Sequence, residues 1–66
     1  MTTMNAMTRM YEDYLKEVVM PKVGMIHNWM VEGNNLICYP YQDDGRVGER
    51  HVVPLMSIMV WASRRL

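Results

Sequence analysis

The spacing of apolar residues in the first third of the chain is that of an amphipathic helix. They recur at intervals of three and four, as on one helical face: Met7, Met10, Tyr11, Tyr14, Leu15, Val18 and Val19. Charged residues fill the opposite face: Arg9, Glu12, Asp13, Lys16 and Glu17. The pattern predicts a helix that ends near Val19, with Thr3, Asn5 or Thr8 as its N-terminal cap.

Two interpretations of the next segment compete. Proline suits the first helical position, so a second helix can start at Pro21 and stop at Gly33. Its apolar stripe would be Met25, Ile26, Trp29 and Met30. With so short a connection, the two helices would form a helix-turn-helix. The competing interpretation is a β-hairpin over residues 25–39 that turns at Gly33 and Asn34.

The remaining pattern predicts a hairpin and a last helix. "NLICYPY" has strand character, and Pro40 marks an edge strand or a bulge. The polar "QDDGRVGE" forms the tip, and "RHVV" returns as a strand. Pro54 opens a helix whose last turn ends in Arg64 and Arg65. The order predicts one α+β domain over residues 1–66, a winged helix-turn-helix with two N-terminal helices, a hairpin wing and a C-terminal helix.

Composition narrows the function classes. A chain of 66 residues is marginally stable alone, and its single cysteine, Cys38, excludes an intrachain disulfide. The N-terminus lacks the pattern of a signal peptide, and the longest apolar run, "IMVWA", is too short to span a membrane. A cytoplasmic protein, without a membrane partner, is therefore expected. His27, Cys38 and His51 lack zinc-site spacing, and no nucleophile–base pair is visible, so neither metal, cofactor nor enzymatic activity is expected.

Two spans of the chain carry a family resemblance. "YEDYLKEVVMPKVGMIHNWMVEGNNL" followed by "DGRVGERHVVPL" resembles the small excisionases of temperate phages, of the Cox and Apl type. The matching elements are Tyr11 and Tyr14, the run from Trp29 to Gly33, Leu36 with Ile37, and the wing from Gly45 to Glu49. Family members often carry two arginines where this chain has His27 and Asn28.

The resemblance implies a phage DNA-binding protein that acts in the cytoplasm of a bacterial host cell. Such a protein binds repeated double-stranded sites in an attachment and promoter region as a homo-oligomer, and bends the DNA. It favours excision together with phage integrase and represses transcription. In a recognition helix, Asn28 suits adenine, while Lys22 and His27 suit base edges or phosphate, and Gly24 permits close approach. In the wing, Arg46 and Arg50 suit the minor groove or flanking phosphates.

The last helix suggests a further surface, because it is apolar nearly all round. One small core cannot bury every face of it, so a second copy is expected to cover Met56, Met59, Val60 and Trp61. Alternatively, Trp61 simply covers the domain's own core. The zero net charge and the methionines also support a second function class, a small phage module that binds and inhibits a host protein.

Overall fold

A computed structural model describes residues 6–65 of the chain, so the candidate caps Thr3 and Asn5 lie outside the described residues. The predicted α+β class is confirmed. In chain order the elements are helix α1 (Ala6–Tyr14), a π-helical segment (Leu15–Val19), helix α2 (Met20–Val23), strands β1 (Ile26–Glu32), β2 (Asn35–Pro40) and β3 (His51–Pro54), and helix α3 (Leu55–Ser63).

The N-terminal helix is confirmed, but its predicted end near Val19 is wrong. The backbone stays helical through Pro21 to Val23. A proline normally removes one helical hydrogen bond and its ring clashes with the preceding turn. Here the π-helical segment immediately before Met20 widens the turn, which makes room for the ring. Gly24 then ends the helix at a φ of 85°, and its N–H donates to the Met20 carbonyl at 2.8 Å.

The predicted second helix from Pro21 to Gly33 is wrong beyond Val23. Residues 26–32 form strand β1, and the competing hairpin, which turns at Gly33 and Asn34, is confirmed. Gly33 has a φ of 62° and Asn34 does not have a positive φ. This combination in a two-residue loop is typical of a type II′ turn, whose twist matches that of the flanking strands. The apolar residues of this segment suit either element, and the pairing of β1 with β2 decides for the strand.

The three strands form an antiparallel meander with β2 in the centre. Leu36 pairs with Val53, which confirms the predicted second hairpin, and residues 41–50 form its tip. Pro40 lies at the end of β2 and pairs with Ile26, beside a bulge that occupies residues 26–28 of β1. Of the two alternatives for Pro40, the edge strand is wrong, because β2 is the central strand, and the bulge lies on β1, opposite Pro40.

Both helical parts pack on one face of this sheet. The buried core consists of Tyr11, Leu15, Val19, Leu36, Cys38, Val53 and Ile58. Two edge-to-face aromatic contacts extend it: Trp29 of β1 lies 5.9 Å from Tyr11, and Trp61 of α3 lies 5.3 Å from Tyr14, measured between ring centroids. The predicted last helix is confirmed and starts directly after Pro54. The opposite sheet face has no helix over it among the described residues.

Candidate interaction surfaces

Most residues expected to contact DNA lie at one end of the sheet, and only Lys22 lies on a helix, because the predicted second helix ends at Val23. The start of β1, the end of β2 and the start of β3 meet there, and the Tyr41 N–H donates to the Met25 carbonyl at 2.9 Å. We call this region, residues 22–28 and 41–51, the loop end. It includes all the predicted DNA contacts: Lys22, Gly24, His27, Asn28, Arg46 and Arg50.

Local partners already engage several of these side chains. Arg46 lies 3.6 Å from the Asp44 carboxylate, which also accepts the Arg46 backbone N–H at 3.0 Å. His27 Nδ1 and the Tyr41 hydroxyl are hydrogen-bonded at 2.8 Å. The loop end has equal numbers of basic and acidic side chains. The basic ones are Lys22, Arg46 and Arg50, and the acidic ones are Asp43, Asp44 and Glu49. The loop end therefore lacks the excess of positive charge that binding to phosphates requires.

The predicted oligomerisation residues of α3 separate into two groups. Met56, Met59 and Val60 form an exposed stripe, and Met56 retains 76% of its surface. Trp61 is half-buried between Tyr14 and Arg65, whose guanidinium lies 4.7 Å from the indole centroid. Arg65 also donates to the Glu17 carboxylate at 2.6 Å. Trp61 thus joins α3 to the N-terminal helix, and the exposed part of the predicted set is the stripe.

Sequence reasoning missed a further surface, the open edge of β1. In the order β1-β2-β3, this strand has a neighbour on one side only. Glu32 and Asn35 flank the two-residue turn, so they form a hydrogen-bonded pair. Along an antiparallel ladder, hydrogen-bonded pairs alternate with pairs that are not hydrogen-bonded. The backbone groups of Trp29 and Val31 consequently point away from β2. The Trp29 N–H confirms this direction, because it donates to the side-chain Oδ1 of Asn28, at 2.9 Å, and not to β2.

The edges of the sheet differ in how they are protected. Strand β3 is only four residues long and ends at Pro54, and short strands and prolines discourage further pairing. Strand β1 has seven residues without lysine or proline, and only its first part is distorted by the bulge. Met30 and Val31 in its straight part are 43% and 44% exposed. The edge of β1 is therefore the one suited to accept another strand.

A cleft of about 240 Å³ runs between this edge and the N-terminal helix. Leu15, Met20, Ile26 and Trp29 provide its apolar lining. Glu12 and Lys16, one helical turn apart, line it with opposite charges. Side chains of a strand added to β1 would alternate between this cleft and the opposite face of the sheet.

Among residues 6–65, Cys38 and the side chains able to bind metal ions are the other groups that bear on chemistry. Cys38 is fully buried in the core, and burial raises the pKa of its thiol, which keeps it protonated and unreactive. Among residues 6–65, no three His, Cys, Asp or Glu side chains lie close enough together to hold a metal ion. Within the same range, every helix is too short or too polar to cross a membrane.

Comparison with known proteins identifies no relative, so the function is inferred from these surfaces. Searches against protein-family models, curated proteins and solved structures each found no match.

Proposed function

We propose that this protein is a protein-binding module that takes up an extended segment of its partner as an additional strand on β1. The observation that carries this proposal is the unprotected edge of β1 beside a cleft that is half lined by apolar side chains. In strand addition, backbone hydrogen bonds supply affinity, and pockets for alternate side chains supply specificity. The outward backbone groups of Trp29 and Val31 can form such hydrogen bonds, and the cleft can serve as a side-chain pocket.

Charge favours a protein partner over DNA. The chain carries no net charge at pH 7, and the acidic residues of the loop end balance its basic ones. Because neutralised phosphates account for much of the affinity of DNA-binding proteins, a balanced surface gives up most of that contribution. The opposite charges of Glu12 and Lys16 also leave the cleft without a net charge from these two residues, which suits an uncharged segment. An inhibitor or adaptor of another protein fits these properties.

Random nonapeptides displayed on phage provide the test. We expect selection to enrich apolar, extended sequences, whose synthetic forms change the fluorescence of Trp29 in a Trp61→Phe background. N-methylation of the peptide backbone should abolish binding at alternate positions only, because every second N–H of an added strand faces β1.

Val31 provides a matched pair of variants for the same assay. Val31→Pro removes an outward N–H and should abolish peptide binding, whereas Val31→Ala keeps the N–H and should bind. Circular dichroism checks that both variants fold. A failure to enrich any peptide, or equal binding by both folded variants, would overturn the proposal.

DNA binding is a second candidate, and the gathering of Lys22, His27, Asn28, Arg46 and Arg50 at the loop end favours it. In this proposal the β2–β3 hairpin acts as the wing of a winged-helix-like layout. The protein then serves as a phage excisionase and repressor, with integrase and further copies of itself as partners, in the host cytoplasm. Base readout would come from β1 and the loops, as strands can also enter a groove.

Fluorescence anisotropy on duplexes from the flanking genome, with random duplexes as reference, tests this second function. Asp44→Asn frees Arg46 from its ion pair, so it should strengthen binding at low salt, and Arg46→Ala should weaken it. Lys22→Ala should lower the slope of the DNA-binding constant against salt concentration, on logarithmic scales, by about one, the effect of losing one phosphate contact. Equal and weak binding of wild type to every duplex would rule this candidate out.

A further inference from the structure

The open edge of β1 is complementary to itself. We propose that its occupant is a second copy of this chain, which pairs β1 with β1 in antiparallel fashion about a two-fold axis at Met30. The inference rests on the proposed strand addition at this edge and names its partner. Two three-stranded sheets would then join into one continuous sheet, with the helices of both copies on the same face.

The register follows from the outward backbone groups. Only Trp29 and Val31 of the straight part of β1 direct their N–H and C=O groups to the open side. A two-fold axis at Met30 places Trp29 of each copy opposite Val31 of the other, so both pairs exchange backbone hydrogen bonds. An aromatic residue opposite a β-branched one is also a favourable cross-strand pair. Other registers with the same symmetry form fewer such pairs.

The polar neighbours fit this register. Asn28 of one copy lies opposite Glu32 of the other, so no like charges face each other along the strands. Asn28 Oδ1 now accepts the Trp29 N–H. On pairing, that N–H passes to the Val31 carbonyl of the second copy, and the released Asn28 amide can donate to the facing Glu32 carboxylate. The Trp29 N–H, the donor that loses its partner, therefore gains another.

The charges beside the cleft are also complementary across the two-fold axis. Glu12 and Lys16 lie on the side of the N-terminal helix that borders the edge of β1. The axis makes the two N-terminal helices antiparallel, which sets Glu12 of one copy toward Lys16 of the other, twice. On the far face of the sheet, Met30 meets Met30, on the same face as the exposed Val52. The association depends on one strand and one helical turn, so it should be weak and concentration-dependent.

Sedimentation equilibrium of the full chain over a range of concentrations tests the association. Wild type and Val31→Ala should dimerise, and Val31→Pro should associate at least about tenfold more weakly, a loss of roughly 1.4 kcal/mol. Met56→Glu changes the exposed stripe of α3 and should leave the dimer intact. Loss of the dimer in Met56→Glu but not in Val31→Pro would assign the interface to α3 and overturn the inference.

Charge reversal and cross-linking test the register. Glu12→Lys and Lys16→Glu should each weaken the dimer, because they create like-charged contacts, and the double reversal should restore it. Met30→Cys should form an interchain disulfide under mild oxidation, since these residues face each other across the axis, whereas Glu32→Cys should not. Equal cross-linking at both positions, or none at Met30→Cys, would overturn the register.

The peptide assay separates the two proposals. A chain that stays monomeric at every concentration, yet binds selected peptides in a Val31-dependent way, would refute self-pairing and leave strand addition standing. A monomer that also binds no peptide would refute both.

Discussion

The turn at Gly33 offers a sharp test of the β1–β2 hairpin, because its two-residue loop requires a positive φ at this glycine. Gly33 has a φ of 62°, which L-residues rarely adopt, and a Cβ atom there would meet no atom within 4 Å. Replacement by L-alanine should therefore cost backbone strain alone, about 1–3 kcal/mol. For a domain of this size, each kcal/mol lowers the melting temperature by about 4–8 °C.

D-alanine at the same position should have the opposite effect. Its mirror-image preferences match a positive φ, and its methyl group restricts the unfolded chain, so it should stabilise the fold by about 0.4–1 kcal/mol. Asn34→Ala is the matched control in the same turn. Asn34 does not have a positive φ, so this change should stay within about 0.5 kcal/mol of wild type.

Chemical synthesis of the 66-residue chain gives access to the D-alanine variant, and thermal and urea unfolding followed by circular dichroism give the free energies. The order of stability should be D-alanine, glycine, L-alanine. If L-alanine were neutral and D-alanine destabilising, Gly33 would not have a positive φ, and the type II′ turn between β1 and β2 would be refuted.

Four further predictions concern the buried core and the ion pair between the N-terminal helical region and Arg65. Ile58→Ala empties a fully buried site between the helices and the sheet and should cost about 2–5 kcal/mol in urea unfolding, whereas a loss below about 1 kcal/mol would contradict this packing. Glu17→Gln breaks a half-exposed ion pair with Arg65, so it should cost less than about 1 kcal/mol, and the loss should shrink in high salt. Cys38 should react with a thiol reagent only as fast as the protein unfolds, and rapid reaction of the folded protein would show that it is accessible. Because burial raises the pKa of Cys38, the unfolded chain loses the thiol proton first, so stability should fall as pH rises above the ordinary thiol range, and Cys38→Ala should remove that fall.

The sequence alone determined the elements whose periodicity admits one interpretation. Seven apolar residues at helical spacing specified the N-terminal helix, and the polar tip between two apolar runs specified the β2–β3 hairpin. Pro54 correctly marked the start of α3. In each case local preference and the packing of the core favour the same structure, so a pattern along the chain is enough to predict it.

Only the tertiary structure decided the segment after Pro21. Its apolar residues suit a helix and a strand equally, and the choice depends on the central strand β2, which pairs with β1 and whose Leu36 and Cys38 enter the core. The same pairing decided the candidate site. Strand β1 is an edge strand only because β2 pairs with one side of it and no strand of the described residues pairs with the other. The cleft forms only where the N-terminal helix passes that edge. Both depend on contacts between residues distant in sequence, which hydrophobic periodicity does not encode.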